Sequence, residues 1–403
     1  MTDLLDAYDL ASQHKYWRDS RLRFDYSLER ELVELANQIY TRTYQPRPSH
    51  IFIVDVPKPR EVVAANFRDR LVHHYVCHFI APYLERILIY DCYSCRVGKG
   101  THKGIERLRH HILSASDNYS KPCYILQCDI SAYFMSLSRD KLLEKTHHFL
   151  DWIGRQRVDS KEYRYEQTKY FDTIRYLVEC VVLHNPLEEA ILACHPAKWK
   201  LLPASKSLYY SPDNCGLPIG NLTSQLFSNL YLNDFDQYVK RTLGVKHYGR
   251  YVDDFYLLSP SVEQLNTWLK SISARLAVDA LKLHEHKTKI LDVHRGVLFL
   301  GAYILPYRTY VSSHTLQRIS SGVQAMSAPR NDEEWEQRYR STNSYLGVLG
   351  HYKSYKLRTE LFSRGFMSHY AYPTAWLTKY IRRESLRASS WQSRDFDGQP
   401  AHV

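Results

Sequence analysis

Two aspartates stand side by side in Tyr251-Val252-Asp253-Asp254. The flanking runs, Val245-Lys246-His247-Tyr248 and Phe255-Tyr256-Leu257-Leu258, read as strand, tight turn and strand, so a hairpin would carry both acids at its tip. Adjacent carboxylates repel, which raises the cost of ionising both unless cations neutralise them. Mg²⁺ meets that need, since it takes hard oxygen ligands and keeps positions for water and phosphate; Mn²⁺ is a possible substitute. Asp129 ends the short apolar run of residues 124–128, as a carboxylate at the end of a buried strand would. If that strand lies beside the hairpin, Asp129, Asp253 and Asp254 become the ligands of two ions. Two ions about 3.5–4 Å apart activate an attacking 3′-hydroxyl and stabilise departing pyrophosphate, which is nucleotidyl transfer. An isolated Asp-Asp pair is more often a plain turn, so the assignment rests on context.

Two other motifs carry less. Cys92 and Cys95 form a lone CxxC with no second pair at zinc spacing, and buried or loop thiols are the simpler reading. Gly98-Lys99-Gly100-Thr101 lacks the order and spacing of a Walker phosphate loop and reads as a loop that touches template backbone.

The context is a series of motifs in order: Lys58-Pro59-Arg60 with Phe67-Arg68-Asp69-Arg70, Cys128-Asp129-Ile130-Ser131-Ala132-Tyr133-Phe134, Gly216-Leu217-Pro218-Ile219-Gly220, Tyr251-Val252-Asp253-Asp254, His286-Lys287-Thr288 and Phe299-Leu300-Gly301. Over residues 44–310 the chain resembles the reverse transcriptases. The resemblance implies an α+β, right-hand polymerase fold with fingers, a palm built on an antiparallel sheet, and a helical thumb. It implies catalytic roles for Asp129, Asp253, Asp254 and Lys287, and metal ligation by the three aspartates and the Ile130 carbonyl. Lys287 matches the lysine that protonates pyrophosphate, with Lys289 close enough to confuse the assignment. Lys58 and Arg60 match the fingers residues that neutralise the triphosphate. Phe134 matches the steric gate, an aromatic ring in the space of a ribose 2′-hydroxyl.

The segment Gly216-Leu217-Pro218-Ile219-Gly220-Asn221-Leu222-Thr223-Ser224-Gln225 narrows the resemblance. Most reverse transcriptases have Gln-Gly and later Ser-Pro, where this chain has Ile219-Gly220 and Ser224-Gln225. It resembles the enzymes of diversity-generating retroelements, as do Arg96-Val97-Gly98-Lys99-Gly100-Thr101-His102 and Gly249-Arg250. That implies Ile219, Gly220 and Gln225 at the dNTP site, error-prone copying of a template-repeat RNA at adenines, and a small basic helical accessory protein as partner. A Gln at 219 would offer the nascent pair a polar contact that rejects poor fits, whereas Ile219 offers only shape. The rivals are another bacterial reverse transcriptase, such as a phage-defence or retron-like enzyme, and a non-catalytic RNA-binding protein on a polymerase fold.

The elements that must position these residues follow from periodicity. Residues 27–40 read as an amphipathic helix behind Ser27, and residues 44–59, with four prolines, as an extended stretch or edge strand. Helical patterns return over 69–88, 105–113, 139–195 and from 224, where Thr223 or Ser224 can cap; residues 297–304 read as one strand. The expected organisation is a helical extension at 1–43, fingers at 44–125, a palm at 126–310 with a helical insertion at about 139–215, a thumb at 311–380 and a loose tail at 381–403. In the thumb, Tyr345, Tyr352, Lys353, Tyr355, Lys356 and Arg358 suit a duplex backbone, or equally a solvated helix face.

Composition agrees with a nucleic-acid partner. Lys and Arg total 54 against 43 Asp and Glu over 403 residues, a formal charge of +11. No run of 18 apolar residues marks a membrane span, and the acidic start lacks the pattern of a secretory signal. Eight scattered cysteines make no disulfide framework. These features lead to the expectation of a cytoplasmic enzyme of bacterial, archaeal or phage origin, with no RNase H or endonuclease domain.

Overall fold

A computed structural model describes residues 2–13, 18–55, 58–156, 163–324, 331–362 and 371–383. The chain divides into two compact units, Met1–Leu291 and Asp292–Val403. The boundary expected between 310 and 311 thus falls inside the second unit, and the tail from 384 lies outside the described residues.

The first unit opens with helices α1 (Thr2–Ser12), α2 (Asp19–Asp25) and α3 (Leu28–Tyr40). On α3 the apolar stripe buries Leu32, Leu35 and Ile39, while Ser27 occupies the cap position without a capping side-chain bond. Phe24 of α2 meets Phe67 at 5.2 Å between ring centroids, so the N-terminal helices share the main core. Then come β1 (His50–Val54), β2 (Arg60–Ala64) and α4 (Phe67–Ile87), the last started by Asn66, whose side chain accepts from the Arg68 N–H. Leu71, Val72, Val76 and Ile80 of α4 are wholly buried, making it the axis of the core.

Next are α5 (Thr101–Ala115), β3 (Tyr124–Asp129), α6 (Tyr133–Ser136), α7 (Arg139–Gln156), α8 (Tyr163–Leu183) and β4 (Ile191–Leu192). After an excursion of short 3₁₀ turns follow α9 (Leu222–Tyr231), α10 (Asn233–Gln237), β5 (Tyr248–Tyr251), β6 (Asp254–Ser259), α11 (Val262–Val278) and β7 (Lys289–Asp292). Asn221, not Thr223 or Ser224, holds the cap position of α9.

Two sheets organise this unit. One has the order β5-β6-β3-β7, with β6 antiparallel to both β5 and β3. Leu126, Cys128, Phe255 and Leu257 face the main core; Tyr256, on the opposite face by strand alternation, meets His111 of α5. The other has the order β2-β1-β4, which puts β1 in the centre, antiparallel to β2 and parallel to β4. The extended reading of this stretch holds, and its edge alternative is corrected. Its prolines flank residues 50–54, so every residue of β1 keeps its N–H.

The second unit holds β8 (Val297–Phe299), β9 (Ala302–Leu305) and β10 (Arg308–Val311) as an antiparallel meander. The single strand expected over 297–304 is a hairpin instead. Leu300 and Gly301 both take positive φ, 47° and 82°, the pattern of a two-residue hairpin turn. Helices α12 (Ser313–Gln324), α13 (Asp332–Gly350) and α14 (Tyr355–Phe362) and the pair β11 (Ala371–Pro373) and β12 (Tyr380–Arg382) surround Ile319, Leu346, Leu349 and Phe362. Arg358 is buried and donates to the Leu377 carbonyl at 3.1 Å, so it braces this core; Lys353, Tyr355 and Lys356 are exposed. Among the described residues no helix is long and apolar enough to cross a membrane.

Candidate active site

The register of the first sheet pairs Asp129, the last residue of β3, with Asp254, the first of β6. Tyr251 also pairs with Asp254, which leaves Val252 and Asp253 as the hairpin turn. Val252 takes φ +57°, a conformation that a β-branched residue adopts only under constraint, at a cost of roughly 1–3 kcal/mol. The constraint is visible. The Val252 N–H donates to Ser94 Oγ at 3.2 Å, and Arg250 Nη1 donates to the Val252 carbonyl at 3.0 Å. Arg250 is wholly buried and forks onto Asp236, with Nε to Oδ1 at 2.8 Å and Nη2 to Oδ2 at 2.7 Å. Tyr248 donates to the same carboxylate at 2.5 Å, and Asn229 Nδ2 binds the Ser94 carbonyl at 2.9 Å. The Asp253 carbonyl accepts from the Ile130 N–H at 3.2 Å, which joins the two acidic segments.

Burial and mutual charge set the electrostatics. Asp253 is pushed up to about 6, by burial first and then by the charge of Asp129. Asp254 is raised by burial, then by Asp253 and Asp129, and it shares a hydrogen bond with Asp129. Lys287 Nζ reaches Asp129 Oδ2 at 2.7 Å, placed there by a turn whose His284 N–H donates to the Asp129 carbonyl at 2.8 Å. Lys289, on β7, makes no such pair among the described residues, which separates the two lysines.

The donor set fits a hard divalent cation. Neighbouring carboxylates with raised pKa values are held against their own repulsion, and a cation would relieve it. Among the described residues no three His, Cys, Asp or Glu side chains already converge as a closed cage. An ion of the magnesium type takes one or two carboxylates and completes its shell with substrate phosphate and water. Of the CxxC pair, Cys92 is buried and donates a hydrogen bond from Sγ to Asn229 Oδ1 at 3.4 Å, whereas Cys95 is exposed.

Around the carboxylates the chain brings in most of the other expected residues. Ala132 takes φ +46° and starts α6, on which Phe134 lies half-buried. The Phe134 carbonyl accepts from the Leu217 N–H at 2.8 Å, tying the ring's backbone to the Gly216–Gly220 loop. The Ile219 carbonyl in turn accepts from Val63 of β2 at 2.8 Å. A Cβ at Gly220, where φ is +121°, would stand 2.8 Å from the Val63 carbonyl oxygen, so only glycine allows this approach. Lys58 and Arg60 are exposed at the start of β2, and the charges of Arg60 and Lys287 act on Asp253. Gln225 is exposed on the first turn of α9; among the described contacts none links its side chain to the carboxylates.

Two features escaped the sequence reading. Lys206, in the excursion before α9, shares its electrostatic environment with Lys58, Arg60, Lys287 and Asp129. Nothing in its spacing separates it from Lys198 and Lys200. The Arg250–Asp236 pair was signalled only by an arginine three residues before the acids.

A family model described as reverse transcriptase (RNA-dependent DNA polymerase) matches residues 55–304. The chain belongs to the reverse transcriptase family. Among curated proteins this reverse transcriptase is similar to Protein YkfC of Escherichia coli (strain K12), 22% identical over 316 residues, covering 69% of this chain and 72% of that one. Among solved structures it is similar to apo telomerase from Candida tropicalis, at 12% identity and a TM-score of 0.48, over 79% of this chain and 56% of that one. A telomerase from Candida albicans in complex with a telomeric RNA fragment aligns at 12% identity and a TM-score of 0.45, over 85% and 60%. The chain thus spans less than two thirds of either telomerase. The reverse transcriptase has the right-hand polymerase fold of its family, mixed in helix and sheet, and its activity class is RNA-directed DNA polymerase. Enzymes of this family use divalent metal ions.

Proposed function

We propose that this reverse transcriptase makes cDNA from a template-repeat RNA and copies adenines carelessly, in the manner of diversity-generating retroelements. The observation that supports polymerisation most directly is the pairing of Asp129 with Asp254 beside the Asp253 turn, in the field of Arg60 and Lys287. In this reading residues 44–125 form the fingers, 126–310 the palm and 311–380 the thumb. Asp129, Asp253, Asp254 and the Ile130 carbonyl hold Mg²⁺, which when bound activates the 3′-hydroxyl and stabilises the leaving pyrophosphate. Lys58 and Arg60 neutralise the triphosphate through charge-assisted bonds. The ring of Phe134 fills the space a ribose 2′-hydroxyl would need. Lys287 gives its proton to a pyrophosphate oxygen, for which it must leave Asp129. Template RNA and the cDNA hybrid are the partners, together with a small basic helical accessory protein.

The careless copying is supported by Ile219, whose backbone is docked on β2 while its side chain offers no hydrogen bond. Extension of a primer on an RNA template, with the cDNA sequenced, tests both parts. Wild-type enzyme is expected to err mainly opposite adenine. Ile219→Gln is expected to lower that error about tenfold, the change produced by ~1.4 kcal/mol of added discrimination. An active Ile219→Gln enzyme with an unchanged adenine error rate would place the carelessness elsewhere.

A further inference from the structure

We propose that Lys206 is a further phosphate-binding cation of the nucleotide site, delivered by the excursion between β4 and α9. This rests on reading the site as a dNTP-binding polymerase centre. The excursion consists of short 3₁₀ turns, Pro196–Leu201, Ala204–Lys206 and Leu208–Tyr210. Such a segment would wander if it were not held, and it is clamped directly after Lys206. Ser207 Oγ donates to Glu61 Oε2 at 2.7 Å, and the Leu208 N–H donates to Oε1 at 2.8 Å. Glu61 is only 1% exposed and is the neighbour of Arg60 on β2. A buried carboxylate with both oxygens engaged is a rigid anchor, so the backbone at 207–208 is fixed to the strand that carries Arg60. A second clamp lies at Leu208. Its side chain is buried so closely against Gly216 that a Cβ there would stand 2.6 Å from Leu208 Cδ1.

Immediately before these clamps Lys206 is exposed, and the charges that act on it are Lys58, Arg60, Lys287 and Asp129. Lys198, on the same excursion, is paired with Asp55 at 2.8 Å, and Lys287 with Asp129 at 2.7 Å. Lys206 has no ion-pair partner among the described residues. Several cations held together by a rigid scaffold repel one another unless a multiply charged anion joins them. The excursion could have been anchored with a neutral residue at 206. In the free site its ammonium meets three like charges, Lys58, Arg60 and Lys287, against the single acid Asp129, and it gains in the bound one, which is the pattern of a ligand-binding charge.

The test uses the full chain and inorganic tripolyphosphate with Mg²⁺, followed by calorimetry. Lys206→Ala is expected to weaken tripolyphosphate binding about tenfold, the loss of one charge-assisted contact, and Lys206→Arg to restore most of it. Lys200→Ala, which removes a charge from the same excursion, is expected to leave the affinity unchanged. Equal affinity in Lys206→Ala and wild type, or an equal loss in Lys200→Ala, would overturn the assignment. Primer extension by the wild type judges the polymerase reading separately. In that assay Lys206→Ala is expected to raise the dNTP KM about tenfold with the primer–template Kd unchanged. A shift in the primer–template Kd alone would mean that Lys206 touches nucleic-acid backbone instead.

Discussion

Phe134 stands on backbone that is fixed on both sides, by the left-handed turn at Ala132 and by the Leu217 N–H bond to its own carbonyl. In the proposed reading the ring so mounted selects the sugar by volume. Phe134→Ala is expected to raise the rNTP to dNTP ratio of kcat/KM at least about tenfold, measured in competition on one template; an unchanged ratio would remove the ring from sugar selection. The placement of such residues was legible in the sequence because the proposed chemistry requires a particular side chain at a particular distance from an acid. Asp129, Asp253, Asp254 and Lys287 belong to that class. Lys206 does not, since its place depends on Glu61 reaching across from β2, and a pairing of distant residues leaves no local spacing to read.

The β5–β6 hairpin shows what an element must supply to hold such residues. Its turn forces Val252 into a costly conformation, and the Arg250–Asp236 pair beneath it, 0% exposed on both sides, offsets that cost through the bond to the Val252 carbonyl. Asp236→Asn would leave Arg250 buried without its counter-charge. Denaturant unfolding is expected to show a loss of about 3–5 kcal/mol, with polymerisation falling further than the folded fraction does. A loss under about 1 kcal/mol would show that the pair is not what braces the turn. At this scale the sequence was read well where one periodicity ran unbroken, as on α3 and α4. It was misread where pairing decided the outcome. The prolines around residues 50–54 suggested an edge, yet they flank a central strand, and the Leu300-Gly301 turn split one expected strand into two. The turn signal of Gly301 was present but was absorbed into the apolar run around it.

Across the whole molecule, a formal charge of +11 prepares the chain for a polyanion, while the acids at the centre create the opposite field locally. The core of the first unit also carries a titration. His73, buried on α4, is lowered from 6.5 to about 3, by burial first and then by His74, His184 and Arg70. Its neutral form is the folded one, so its contribution is complete above pH 6.5 and is lost as pH falls towards 3, while the unfolded chain takes up the proton. His73→Gln is expected to flatten the fall of Tm with acidity below pH 6.5, and parallel curves for the two proteins would contradict this. The order of the motifs made the polymerase fold legible. The division after Leu291 was not, since no shift of composition or run of linker residues marks it. The central claim is that Asp129, Asp253 and Asp254 carry nucleotidyl transfer in an enzyme that binds RNA through many separate basic groups. It is tested most directly by primer extension on an RNA template, with template affinity measured on the same preparations. Asp129→Asn and Asp253→Asn are expected to abolish extension while binding RNA as the wild type does, since an amide is a poor ligand for a hard cation. Substantial extension by either variant would contradict the account.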